Sequence, residues 1–260
     1  MNRIATSRIF TGRTQKERAD ETRARILDAA IHAFSENGLA GARTEQIAEA
    51  AGVNKALLYY YFTSKDALYA ATLESMAERV MASSIAALSG KSSAGERFLQ
   101  FVLNHFDRIH SQRAFQSLMQ QELMRLRQGE ESALRPIVEK VFRPMTGRVQ
   151  ELLAEGMRTR ELIHVDPWQI MYAALGANVF YFLSAPVMGL LKGKNLFDRR
   201  ALTARRRAAV EYLGQTIFCD RRHGARVAAR VLGHTPMPRS GPFKRLGSTG
   251  LSQQLEVKRK

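Results

Sequence analysis

From Thr22 onward, apolar residues return at intervals of three and four, and no segment alternates in the two-residue rhythm of a strand. Leu27, Ala30, Ile31 and Phe34 mark one amphipathic helix, which Asn37-Gly38 is expected to stop. Thr44 is placed to cap a short second helix carrying Ile47, Ala48 and Ala51, ended by Gly52. A third runs from Asn54 to Tyr61 with Leu58 and Phe62 inward. Ser64 caps a fourth, over 64–80, whose stripe is Tyr69, Leu73, Met76 and Val80. Ser89 to Gly95 breaks the pattern.

The pattern resumes with Phe98, Phe101, Val102, Phe106 and Ile109, then with Phe115, Leu118, Met119 and Leu123, up to Gly129. A further run from Val138 to Leu153 contains Pro144, whose missing N–H should kink or split it. Asp166-Pro167 reads as a cap followed by the first residue of a helix that ends near Ser184, short of Pro186. Asp198 caps the last long helix, ending near Phe218. The prediction is an all-α chain. Its N-terminal three-helix domain occupies residues 21–67, and a larger helical domain occupies 68–219. A flexible basic arm (1–20) precedes them and a basic, disordered tail (220–260) follows, apart from one helical turn around Arg226–Leu232.

Charge sharpens this picture less than its size suggests. The net charge is +16 over 260 residues, but 1–20 carries five Lys/Arg against two Asp/Glu and 220–260 carries ten against two. Segment 21–65 holds five of each sign. The tails add sequence-independent attraction to phosphate, so any nucleic-acid reading of the head must rest on pattern. A single cysteine, Cys219, excludes an internal disulfide and a C-x-x-C site, and fits a reducing cytoplasm. No signal-peptide core stands at the N-terminus.

Gly52-Val53 joins the second and third helices too tightly for an ordinary loop, as in a helix-turn-helix. Eight residues make a rod of about 12 Å, which matches the width of the major groove. Asn54, Lys55, Ala56 and Tyr59 point outward in this reading. Of Tyr59-Tyr60-Tyr61, two phenols must face solvent, which favours a partner surface. Thr44, at a helix start, is a phosphate anchor.

The run from Gly52 to Leu68, with the preceding Ala30–Phe34 helix, Gly38, Thr44 and Ile47-Ala48, closely resembles the DNA-binding signature of the tetracycline-repressor (TetR) family over residues 22–70. The resemblance implies base contacts by Lys55 and Ala56 and phosphate contacts by Tyr59, Tyr61 and Lys65. It also implies that 21–67 is a helix-turn-helix DNA-binding domain and 68–219 a ligand-binding and dimerisation domain, with a homodimer formed through helices 167–184 and 199–218, a palindromic operator in double-stranded DNA, and a small-molecule effector, repression being the commoner outcome. Asn54 and Leu57 depart from the commoner Ser and Thr, which bears on the operator sequence rather than on docking. No cofactor is implied. Phe115, Met119, Glu122 and Asn178 are the candidate effector-binding residues.

Two rival readings stand beside this one. Ile170 to Leu191 is a 22-residue span without charge, long enough for a membrane helix, though Gly176, Asn178, Pro186 and Gly189 interrupt it. The same span could serve an enzyme as a substrate site. Yet no nucleophile, phosphate-loop or metal pattern occurs, and His105 and His110, five apart, lie on different helix faces.

Overall fold

A computed structural model describes residues 14–238. Among them are eleven α-helices and no sheet; the one strand-like feature is an isolated antiparallel bridge between Leu162 and Phe218. Contacts divide the chain otherwise than expected. Among the described residues, one unit comprises 14–92 with Gln112–Glu155, and the other Ser93–Ser111 with 156–238. The head is therefore part of a larger body that includes later helices, because its apolar faces find partners beyond residue 67.

In the first unit, α1 (Gln15–Gly41) begins seven residues before the predicted start, inside the expected arm. Thr14 caps it, accepting from the Glu17 N–H, while the Glu17 carboxylate accepts from the Thr14 N–H, a reciprocal box that fixes the first turn. The remaining arm residues, 1–13, lie outside the described residues. Gly38 breaks α1 as predicted, with φ 66°, but one further turn follows it. Helices α2 (Thr44–Ala50), α3 (Lys55–Tyr61) and α4 (Lys65–Leu88) come next. Ile26, Phe34, Ile47, Leu58, Phe62, Leu68 and Leu73 form one core with Leu118 of α6 (Arg113–Arg127) and Ile137 of α7 (Leu134–Ile137). Phe34 meets Tyr69 edge-on at 5.0 Å. Burying a side chain such as Leu58 contributes about 1.5–3 kcal/mol.

Pro144 acts as expected, by a specific device. A π-helical turn, Val138–Phe142, separates α7 from α8 (Arg143–Arg158), so the proline falls in the first turn of α8 rather than inside a continuous helix.

The second unit packs α5 (Ala94–Ser111), α9 (Pro167–Lys192), α10 (Arg199–Thr216) and α11 (Arg221–His234). Asp166 and Asp198 cap α9 and α10 as predicted. The prediction that α9 ends near Ser184 is wrong: it continues through Pro186 to Lys192, and Gly193 in the left-handed region ends it. A proline costs one hydrogen bond and a ring clash, which a long helix can absorb by local adjustment.

The expectation of a disordered tail from residue 220 also fails over 221–234. Asp220 caps α11, whose Val227, Ala228 and Val231 are buried against α10 and α5. The Arg-rich composition hid a three-residue apolar stripe. Residues 239–260 of that tail lie outside the described residues. Arg206, almost wholly buried, holds Asp107 through two contacts of 2.7 and 2.8 Å and donates to the Thr235 carbonyl at 3.0 Å, so α5, α10 and the end of α11 share one ion pair.

Candidate nucleic-acid interface

The turn between α2 and α3 is closed by two backbone hydrogen bonds. The Val53 N–H donates to the Ala48 carbonyl at 2.9 Å and the Gly52 N–H to that of Glu49 at 3.0 Å, with Gly52 at φ 66°. A side chain at Gly52 would strain this left-handed residue, so glycine is what permits so abrupt a change of direction. Asn54 then caps α3: its side-chain oxygen accepts from the Leu57 N–H at 2.7 Å. The sequence pattern predicts that Asn54 points its hydrogen-bonding group outward. It is exposed, but its oxygen is committed to the cap.

Thr44 needs a larger correction. Arg43, not Thr44, occupies the capping position of α2; Thr44 is the first helical residue and is buried. Its hydroxyl lies 3.2 Å from the Tyr59 hydroxyl, which ties the start of α2 to the middle of α3. Lys55 Nζ donates to Glu45 Oε1 at 2.5 Å and sits 5.9 Å above the Tyr59 ring. That hydrogen bond raises the Lys55 pKa and lowers that of Glu45, so both are charged at neutral pH. Lys65 donates from Nζ to the Ala40 carbonyl at 3.0 Å, fastening the start of α4 to the last turn of α1.

Lys55, Ala56 and Leu57 are exposed on α3, while Tyr59 and Tyr61 are half-buried. The most exposed phenol is Tyr60, at 81%, and its ring meets Tyr61 edge-on at 5.5 Å. Sequence reasoning required two outward tyrosines and did not single out Tyr60; the i, i+4 pair Leu58–Phe62 marks the inner face and leaves Tyr60 opposite it. Arg23, over the Phe62 ring at 5.3 Å, and Arg25, whose guanidinium lies beside Gly52, bring two further cations to this part of the head. Both precede the first apolar stripe residue and carried no sequence signal of their own.

The effector candidates fall in different surroundings. Phe115 and Met119 are partly buried on α6, with Phe115 against the core of the first unit. Glu122 is fully buried, and its carboxylate accepts from the Ser132 hydroxyl at 2.7 Å, the Ala133 N–H at 2.8 Å and Arg125 at 3.0 Å. It thus closes the α6–α7 connection, with both carboxylate oxygens already partnered. Asn178 belongs to the second unit, also fully buried: its amide donates to the Val102 carbonyl at 3.2 Å and stands 3.4 Å from His105 Nδ1, while its own oxygen has no partner. Among the described residues no group of three His, Cys, Asp or Glu side chains could hold a metal ion.

Two short helices at a glycine turn, one with its polar and aromatic side free of the core, define a helix-turn-helix DNA-binding module. The family model described as bacterial regulatory proteins of the tetR family matches residues 26–72, and one described as a tetracyclin repressor-like C-terminal domain matches 96–213. The chain belongs to the TetR family of transcriptional regulators. The transcriptional regulator RutR of Escherichia coli K12 is 60% identical over 48 residues, 18% of this chain and 23% of that protein. The repressor NicS of Pseudomonas putida is 47% identical over 58 residues, 22% and 27% of the two chains. The matched stretch thus covers about a quarter of these relatives. A gamma-butyrolactone receptor shares the fold with a TM-score of 0.60 at 20% identity, over 84% of this chain and all of that one. A regulator from Saccharomonospora viridis, solved with choline, does so at 0.62 and 17%, over 77% and 100%. The matched family and these relatives are regulators, not enzymes.

Proposed function

We propose that this chain is a repressor that binds a palindromic operator as a homodimer and leaves it when a small molecule binds. The observation that carries the reading is α3 itself: a seven-residue rod, anchored by Leu58 and by the Thr44–Tyr59 contact, with Lys55, Ala56 and Tyr60 turned to solvent. Lys55 and Ala56 meet base edges, the small side chain of Ala56 allowing close approach. Thr44, Tyr59, Tyr61 and Lys65 serve the phosphates; an ammonium has three donors, so the Lys65 bond to Ala40 leaves two for DNA. Asn54 orients α3 by capping it.

The dimer reading draws on α9 and α10. Trp168, Tyr172, Phe180, Leu183, Val187 and Leu190 recur along α9 at intervals of three, four and eight, all exposed, and Tyr212 of α10 is exposed too. Ala173, Gly176 and Ala177 leave room between them, and nothing lies within 4 Å of where a Gly176 Cβ would stand. So much apolar surface requires a cover. By length and composition α9 could also cross a membrane, with 17% of its most apolar window buried. A second subunit is the reading we favour, since exposed residues of α9 and of the charged helix α10 would both be covered by one symmetric contact. The cytoplasm is the compartment proposed.

For the effector, the regulator solved with choline and the transcriptional regulator FadR of Bacillus subtilis, solved with stearoyl-CoA, support a small-molecule site in the helical body. Phe115 and Met119 on α6 are the residues proposed for it; Asn178 on α9, with its open amide oxygen, is a separate candidate within the second unit. Helix α6 packs on both α1 and α4, so a ligand that moves α6 acts on the head directly. Coupling of about 1–3 kcal/mol is usual for such linkage. Selection of bound duplexes from random DNA tests the reading: an inverted repeat with half-sites about 34–36 Å apart is expected, and absence of any preferred duplex would overturn it.

A further inference from the structure

Glu45 is the second residue of α2 and Lys55 the first of α3, and neither contributes much to holding the fold. Both side chains keep more than half their surface in water, 61% and 54%. Exposed ion pairs of this kind add little to stability, and a cation at the N-terminal end of a helix sits at the unfavourable end of its dipole. Yet the pair is closely held. Its N···O distance is 2.5 Å, the second Glu45 oxygen lies 3.5 Å from the Thr44 hydroxyl, and Thr44 in turn meets Tyr59, above whose ring the ammonium stands. Four side chains thus present one donor and one acceptor side by side at the opening of α3.

The edge of one base pair has the matching form. In the major groove a G·C pair shows the guanine O6 acceptor beside the cytosine N4 donor, bonded to each other across about 2.9 Å. We infer, on the reading that α3 enters the major groove, that Glu45 and Lys55 act as a unit to read a single G·C pair in each half-site. Lys55 meets O6 and N7 of guanine, and Glu45 accepts from N4 of the paired cytosine. The T·A pair also sets an acceptor beside a donor, but its adenine N7 acceptor would face the carboxylate and its thymine methyl the ammonium. A·T and C·G reverse the order of donor and acceptor. The carboxylate also repels phosphates of any duplex docked out of register, so the same residue lowers affinity for unrelated DNA.

The test is selection from random duplexes with the full chain, followed by affinity measurement on the selected operator and on a random competitor. The wild-type protein is expected to select an inverted repeat with one strongly preferred G·C pair per half-site. Glu45→Ala should lower that preference about tenfold at this one position, leave the others unchanged, and tighten binding to random duplex. Glu45→Gln, which keeps an acceptor, should retain most of the preference. The inference is overturned if Glu45→Ala selects the wild-type sequence unchanged, or shifts operator and random affinities by the same factor. A wild-type chain with no preferred duplex would remove the DNA-binding reading itself, and this inference with it.

Discussion

The hydroxyls of Thr44 and Tyr59 lie 3.2 Å apart, so the contact that fixes α3 on α2 is made by a phenol to which the proposed function also gives a phosphate. Tyr59→Phe removes both roles of that oxygen. The hydrogen bond between the helices is neutral and contributes about 0.5–1.5 kcal/mol. Affinity should therefore fall up to about tenfold, by the same factor for operator and random duplex, as measured by fluorescence anisotropy. A changed base preference would mean that Tyr59 faces bases instead.

Lys65 gives a contrasting signature. Lys65→Ala removes a charge, so the slope of log affinity against log salt should shrink by about one unit, whereas Tyr59→Phe should leave the slope as it is. Because Lys65 also holds the Ala40 carbonyl, its loss frees the last turn of α1. Titrations from low to moderate salt would expose an error: an unchanged slope removes Lys65 from the phosphate contacts.

Most of the head was legible because its signals are local. Leu27, Ala30 and Phe34, the Gly52 turn, the Ser64 cap and the Leu58–Phe62 pair each depend on residues close in sequence. The same logic explains the failures. Thr14-x-x-Glu17 is a local signal too, but it stood in a charged stretch without an apolar stripe. Thr44 read as a cap because its type favours that position, whereas a partner fifteen residues away draws its hydroxyl inward. Glu122 and Asn178 are polar groups in apolar runs; only tertiary contacts reveal that both Glu122 oxygens are partnered while Asn178 keeps an open oxygen. Helix α11 was obscured by arginines on its outer face.

The packing of α11 on α10 depends on two glycines. A Cβ on Gly224 would run into the Gly214 carbonyl oxygen, and one on Gly214 would lie 2.7 Å from the Gly224 carbonyl. Gly224→Ala must push the helices apart and should cost about 1–3 kcal/mol or more, the range for overpacking. Urea unfolding should show a lowered midpoint. Unchanged stability would mean that α11 is not closely docked.

His105 should make the protein acid-sensitive above the carboxylate range. Burial, with Arg108 adding to it, pushes its pKa down to about 3, below the ordinary value near 6.5. The unfolded chain then binds a proton that the folded chain refuses, so stability is full above about pH 6.5 and declines as pH falls toward the folded value, by at most about 1.4 kcal/mol per unit. Between pH 6.5 and 5 few carboxylates titrate. His105→Gln, which keeps a polar group beside Asn178, should flatten the decline there; an equally steep decline in the variant would show that His105 is not the group responsible.

The exposed stripe of α9 makes the assembly itself testable. Leu183 and Val187 lie one turn apart on it, each more than half exposed, and a charge there would have to be buried in any contact that covers the stripe. Val187→Glu should therefore convert a dimer to a monomer in sedimentation velocity at micromolar concentration, without altering the unfolding of the head. Each head then binds a half-site alone, and affinity for the two-half-site operator should fall far more than affinity for random duplex, because the second contact is no longer intramolecular. If the wild-type chain needs detergent to stay in solution, the stripe faces lipid. If Val187→Glu remains a dimer, subunits meet through another surface, and the spacing of recognition helices must be derived from that surface instead.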